Sequence, residues 1–267
     1  MERIGLIAGN RKFPLLFAKA ARKKGFSVIA IAIKKDTSPR LNRLVDKIHW
    51  LCLSDFSQMF DIFAKDGVKN VVMAGQISPV RLFSKEILRD PLLRELLLAA
   101  KNRKADTIFS AVAGKLKDKG FNLIDSATFM EEHFPKKGLL AGDNPSAEIR
   151  GDIDFGVELA KEMGRLDVGQ TVAVKDKAIV AVEALEGTDN LIRRAGRICR
   201  RGFTLVKVSK PNQDSRFDIP VVGLSTVKHL VKAGAVCLAV EAEKTLFIDR
   251  EESLRLAEKK GLTVVAV

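Results

Sequence analysis

Four strand-length apolar runs, alternating with helix-length segments, constrain the first half of this chain more than any single motif does. Arg3–Ala8, Ser27–Ile33, residues 48–53 and Asn70–Ala74 carry the strand signal. A helical segment over residues 15–24 is stopped by Gly25, and an amphipathic one occupies residues 56–65. Strands of this kind in a βαβ rhythm form a mostly parallel sheet with helices on both faces. Two more helices are expected near residues 92–101 and 107–117. The expected class is α/β, with an N-terminal Rossmann-like, mostly parallel sheet over residues 1–130.

Ligands of such sheets sit outside the carboxyl ends of the strands. That nominates Gly9 and Asn10 after the first strand, and Gly75 and Gln76 after the fourth, for the nucleotide or sugar of a substrate. Tight turns that need glycine are an equally good account of the two glycines. The dinucleotide fingerprint is incomplete: Arg11 stands where a second close glycine is required, and no third follows at the right spacing. No nicotinamide cofactor is expected.

Pro135-Lys-Lys-Gly138 and Gly142-Asp-Asn-Pro145 break the pattern, so residues 131–148 read as a linker. Residues 149–267 then read as a second α/β domain. A helix at 153–163 precedes strands at 171–174, 178–184, 204–208, 236–240, 246–248 and 263–267. Helices are expected at 189–200, 226–233 and 251–260.

The 267 residues carry 46 Lys and Arg against 33 Asp and Glu, a net charge of +13. Such a surplus suits nucleic acid, an anionic membrane surface or an anionic substrate. Nucleic acid is the weakest of the three, because there is no zinc spacing, no RNA-binding signature, no basic tail and no Tyr. The cations are scattered, at 22–24, 101–104, 136–137 and 193–201, as on a solvated face. Cys52, Cys199 and Cys237 are too few and too far apart for a disulfide framework, so a reducing cytoplasm is expected. Neither a signal peptide nor a membrane-spanning run is read in the sequence, so a lipid substrate would be met from the cytoplasmic face.

Two clusters carry the chemistry. Lys207-Val-Ser-Lys-Pro-Asn-Gln-Asp-Ser-Arg-Phe-Asp-Ile-Pro220 is bracketed by Pro211 and Pro220 and therefore reads as a loop between strands. It sets Lys207, Lys210 and Arg216 beside Asp214 and Asp218, with Gln213 among them. Cations beside carboxylates suit a phosphate ester with a hard divalent ion, and the bulky Phe217 reads as a shield for Asp218. Upstream, Val182-Glu-Ala-Leu-Glu-Gly-Thr-Asp-Asn-Leu-Ile-Arg-Arg194 reads as a strand, a turn and a helix capped by Thr188 or Asp189. Taken alone, this second cluster is better accounted for by an ordinary capped helix with surface arginines than by an anion site at the helix N-terminus.

Together the two clusters resemble the I-type UDP-2,3-diacylglucosamine pyrophosphatases, the LpxI family. Gly5-Leu-Ile-Ala-Gly-Asn, Val72-Met-Ala-Gly-Gln, Asp167-Val-Gly-Gln170 and Ala242-Glu-Lys-Thr-Leu-Phe-Ile-Asp249 extend the resemblance over nearly the whole chain. The chain departs from the family pattern at Arg11, where a second glycine is usual. The resemblance implies hydrolysis of UDP-2,3-diacylglucosamine to 2,3-diacylglucosamine 1-phosphate (lipid X) and UMP, in lipid A biosynthesis. It also implies a substrate chamber between two domains that open and close. Asp218 takes the family's essential acidic position, and Asp214 and Arg216 join it as catalytic candidates. Arg193, Lys207 and Lys210 are candidate phosphate contacts, and Gln170, Thr188 and Gln213 candidate neutral donors. Mg²⁺ or Mn²⁺ is expected on Asp218, Asp214 and Asp189, with Glu183 and Glu186 as weaker candidates. His49, His133 and His229 lack the spacing of a zinc site. The expected partner is a lipid-linked UDP-sugar, with peripheral contact at the inner membrane and a homodimer as associations to test. A hydrolase of another nucleotide diphosphate sugar, or a non-catalytic binder of an anionic ligand, are the competing functions.

Overall fold

The computed structural model describes residues 1–78, 81, 84–99, 105–211, 213–216 and 218–267. The basic run at 101–104, the end of the helix expected at 92–101, and Phe217 lie outside the described residues. The chain divides into two compact units, Met1–Glu131 with Asp214–Asp218, and Glu132–Gln213 with Ile219–Val267. Both are α/β. No helix among the described residues is long and apolar enough to cross a membrane.

The first unit holds the parallel sheet. Its strands are β1 (Arg3–Ala8), β2 (Ser27–Ile33), β3 (Lys47–Leu51), β4 (Asn70–Ala74) and β5 (Asn122–Leu123), in the order β3-β2-β1-β4-β5. Every pairing is parallel. Helices α1 (Phe13–Lys23), α2 (Met59–Lys65), α3 (Pro91–Ala99) and α4 (Ala105–Asp118) connect them. Strands β1, β2 and β4 are buried on both faces, which is why they read as continuous apolar runs. Strand order reverses direction between β1 and β4, so the crevice outside their carboxyl ends is the topological switch point.

The second unit holds a six-stranded mixed sheet in the order β6-β13-β11-β9-β7-β8. Here β6 is Gly138–Ala141, β7 Thr171–Lys175, β8 Ala178–Val182, β9 Thr204–Lys207, β11 Cys237–Val240 and β13 Thr263–Ala266. Strands β9, β11 and β13 run parallel, and β6, β7 and β8 join antiparallel. A separate pair, β10 (Val221–Val222) and β12 (Leu246–Phe247), is parallel. Side chains alternate between two cores, as the period of two requires. Val172, Val174, Val206, Val208, Cys237 and Ala239 pack with Ile153 and Ala160 of α5 (Ala147–Arg165). On the other face Ala173, Leu205, Leu238 and Val240 meet α6 (Thr188–Cys199), α7 (Leu224–Ala233) and α8 (Arg250–Lys259).

Of residues 131–148, read from the sequence as a linker, all but Glu131 fall in the second unit. β6 pairs with β13 along the sheet edge, and Ser146 caps α5 by accepting from the Ile149 amide at 3.3 Å. The Gly and Pro residues there punctuate short elements. The helix begins at Ala147, ahead of the expected 153, because that cap lies upstream of the apolar stripe.

Candidate functional site

In the second unit the strand ends bring a buried cation onto a relay of oxygens. Lys207 closes β9 and is only 5% exposed. Its Nζ donates to Thr188 Oγ1 at 2.8 Å, and Thr188 Oγ1 donates in turn to Glu183 Oε1 at 2.7 Å. The other Glu183 oxygen lies 3.9 Å from the ammonium. A hydroxyl that donates once and accepts once is what such a relay needs. The sequence led us to expect a helix cap from Thr188 or Asp189. The cap position is instead Gly187, with φ +80°, and no side chain caps it. Thr188 is the first helical residue, and its hydroxyl is drawn to the ammonium because a buried charge must be paired.

Glu183 is fixed by its backbone: its amide donates to Thr171 O at 2.9 Å, directly beside Lys207 in the sheet register. Behind it runs the turn of Asp167 to Gln170. A Cβ on Gly169 would stand 2.0 Å from Glu183 O, so only glycine fits that approach. Asp167 accepts from Lys210 Nζ at 2.7 Å, and the Lys210 amide donates to Gln213 Oε1 at 2.8 Å. Gln170 holds the strand exit through its carbonyl, which accepts from Val208 N at 3.0 Å. Gln170 Oε1, Gln213 Nε2 and Glu183 Oε2 are buried without a hydrogen-bond partner among the described residues. Such atoms cost about 1–3 kcal/mol each unless water or a ligand satisfies them. Asp189, on the first turn of α6, lies 3.6 Å from His229 Nδ1. Arg193 is exposed one turn further on, its Nε donating to Asp189 O at 3.2 Å.

In the first unit, the loops after β1 and β4 interlock at the switch point. Gly9 N donates to Ala74 O at 2.8 Å and Asn10 N to Gln76 O at 2.7 Å. A Cβ on Gly9 or on Gly75 would lie 2.5 Å from the opposing backbone oxygen, and Gly75 also has φ +82°. Close packing therefore explains both glycines. Asn10 Oδ1 stays buried without a hydrogen-bond partner among the described residues. Gln76 is exposed, and α1, with no acid in its first turn, opens at the same crevice. A helix N-terminus there favours an anion.

The acidic turn belongs to this unit, although the sequence reading placed it in the second domain. Asp218 N donates to Asp214 O at 3.1 Å, closing a turn whose Ser215 docks on the segment after β5. Ser126 Oγ and N donate to Ser215 O at 2.6 and 3.1 Å, and Ser215 Oγ donates to Asp125. Arg216 and Asp214 face one another: Nη2 reaches Oδ2 at 2.6 Å and Nε reaches Oδ1 at 2.9 Å. The guanidinium holds the Asp214 carboxyl below its ordinary range. Asp214 and Arg216 thus meet as an ion pair, and Asp218 ends the turn at Ile219 and Pro220.

Two family models cover the chain, the LpxI N-terminal domain over residues 3–133 and the LpxI C-terminal domain over residues 136–265. A protein of Caulobacter vibrioides named UDP-2,3-diacylglucosamine pyrophosphatase LpxI is 30% identical over 279 residues, covering 100% of this chain and 98% of its own. The chain belongs to the LpxI family. Two solved structures show a remote likeness to this chain. The biotin carboxylase domain of a Hydrogenobacter thermophilus 2-oxoglutarate carboxylase is 11% identical, with a TM-score of 0.29 over 73% of this chain and 41% of that one. A Mycobacterium tuberculosis glycinamide-RNase-transformylase T is 12% identical, with a TM-score of 0.26 over 68% and 44%. Neither likeness carries a functional argument.

The departure from the LpxI pattern at Arg11 has a backbone consequence. Arg11 holds φ +66°, a left-handed conformation that costs a non-glycine residue about 1–2 kcal/mol. Its neighbours Gly9 and Asn10 keep the interlock regardless. Cys199 and Cys237 are not poised as nucleophiles: burial pushes the Cys237 thiol up to about 12 and raises Cys199 as well. Among the described residues no three His, Cys, Asp or Glu side chains converge as a protein-only metal cage would. The carboxylates at hand supply hard oxygen. Mg²⁺ commonly takes one or two such ligands and completes its shell with water and substrate phosphate. Glu183 Oε2, a buried carboxylate oxygen lacking a hydrogen bond, fits that mode.

Proposed function

We propose that this chain hydrolyses the pyrophosphate of UDP-2,3-diacylglucosamine to 2,3-diacylglucosamine 1-phosphate and UMP, a step of lipid A biosynthesis. The match along the whole chain to a relative of that name carries the reading. The buried Lys207 ammonium supports it physically, because it has three N–H donors and commits one to Thr188 among the described residues. Lys207 and Lys210 bear on phosphoryl charge, and Gln170 and Gln213 present buried polar atoms to the ligand. Asp218 orients the attacking water or holds the ion. The Asp214–Arg216 pair keeps the turn in shape. Water bonds to the sugar-side phosphorus, the bond to the UMP oxygen breaks with its electron pair going to UMP, and the water's proton is lost to solvent. The enzyme meets its acylated substrate at the cytoplasmic face of the inner membrane.

The test is product analysis in ¹⁸O-water. Lipid X carrying the label, with unlabelled UMP, is expected. Label in UMP moves the attack to the other phosphorus, and release of UMP only from a water-soluble nucleotide sugar removes the lipid reading.

A hard divalent ion, Mg²⁺ or Mn²⁺, is proposed to neutralise the pyrophosphate, with the Asp218 carboxylate as its first candidate oxygen ligand. Asp214 is the weaker choice because Arg216 occupies its carboxylate. Bound there, the ion would lower the charge on the bridging and non-bridging oxygens. Exhaustive EDTA treatment should lower turnover by at least about 10²-fold, with recovery on Mg²⁺ or Mn²⁺. Full turnover after chelation, or recovery with Zn²⁺ alone, contradicts this assignment.

A further inference from the structure

Ser209 stands between Lys207 and Lys210, and all its polar atoms are held by one charged pair. Its amide and its hydroxyl both donate to Glu241 Oε2, at 2.8 and 2.9 Å. Its carbonyl accepts from Lys161 Nζ at 3.0 Å, and the same ammonium donates to Glu241 Oε2 at 2.5 Å. Lys244 Nζ reaches the other carboxylate oxygen at 2.9 Å. Glu241, just past β11, also ties the strand itself: its amide donates to Lys207 O at 3.1 Å. Burial alone would raise this carboxyl, but Lys161, Lys244 and the Ser209 donors bring it down to about 2, so it stays ionised in any ordinary assay.

A strand exit normally needs only its ladder bonds. Here α5, through Lys161, and the residue after β11, Glu241, grip Ser209, the second residue after β9, on three atoms. The backbone direction at Ser209 decides where Lys210 and Gln213 stand. Lys210 goes on to bond Asp167 and Gln213, so a rotation at Ser209 would carry through the turn.

We propose that Glu241, paired with Lys161, is a positioning residue for the phosphate-handling segment: it sets the course of the chain from Lys207 to Gln213 without touching substrate. The inference rests on the reading that this segment handles the pyrophosphate. A displacement of about 1 Å at such a group costs on the order of 10²-fold in rate.

The experiment compares wild type, Glu241→Ala, Glu241→Gln and Lys161→Met by steady-state UMP release and by amide hydrogen exchange at Ser209 and Lys210. Glu241→Ala should lower kcat by about 10²-fold with KM moved about threefold or less, and should speed Ser209 exchange. Glu241→Gln keeps an acceptor for the Ser209 amide, so it should retain protection and recover most of kcat. A folded Glu241→Ala enzyme with wild-type kcat overturns the proposal. So does a Glu241→Gln enzyme as slow as the alanine variant while its Ser209 amide stays protected. If Glu241→Ala does not fold, Lys161→Met decides: faster Ser209 exchange with lowered kcat supports the proposal, and wild-type values in both overturn it. A wild-type enzyme that releases no UMP refutes the substrate reading instead, and exchange at Ser209 then judges the positional claim on its own.

Discussion

Asp218→Ala should lower kcat by about 10²–10⁴-fold, the range spanned by loss of a group that orients or activates water, while KM changes far less. The reason lies in how the side chain is presented. The Asp214–Asp218 turn is closed by its own backbone bond, stiffened by Arg216 on Asp214, and pinned through Ser215 to Asp125 and Ser126. The bonds just named are made by other atoms of the turn, and the unfolding midpoint of the variant checks that its fold is kept. Uncleaved substrate should then accumulate on the purified variant, visible by mass spectrometry. Asp218→Asn, which keeps the shape and removes the charge, should be nearly as slow. Turnover within about twofold of wild type in both variants would remove Asp218 from the machinery.

The second large effect is expected at Lys207. Lys207→Met removes the ammonium but fills most of its volume. The loss of one preorganised donor to developing phosphate charge costs about 10²–10³-fold in kcat. Unlike the Asp218 change, this one should also destabilise the protein. Glu183 would keep its charge beside Thr188 with no cation near it, and breaking a buried pair from one side costs up to about 3–5 kcal/mol. The double variant Lys207→Met/Glu183→Gln removes both charges. It should recover the unfolding midpoint and stay as slow as Lys207→Met. Recovery of turnover in the double variant would mean that Lys207 serves only to neutralise Glu183, and that phosphate is handled elsewhere.

Much of the architecture is legible in the sequence because it is carried by local periodicity. Arg3–Ala8, Ser27–Ile33 and Asn70–Ala74 form strands at the expected residues, since runs apolar on both faces have nowhere to go but the middle of a covered sheet. Helices α6, α7 and α8 begin one or two residues before the expected starts, at Thr188, Leu224 and Arg250. Short elements escape that signal. β5 has two residues and β6 four, within a segment whose Gly and Pro content reads as a break. Their pairing partners lie far away in the chain, so no window of sequence contains the cause.

The chemistry divides in the same way. The residue types in the two clusters, and the family pattern they resemble, determined by themselves the family to which this chain belongs. Only the tertiary structure decided what each side chain does. It turned Thr188 from a cap into a link between Lys207 and Glu183, and it joined Asp214 to Arg216. It also carried the Asp218 turn out of its own half of the sequence onto the first unit, and gave Ser209 to Glu241 and Lys161. Propensity and spacing act between near neighbours along the chain. Hydrogen-bond partners and buried charges are settled by which strand ends meet, and that follows only once the sheets have formed.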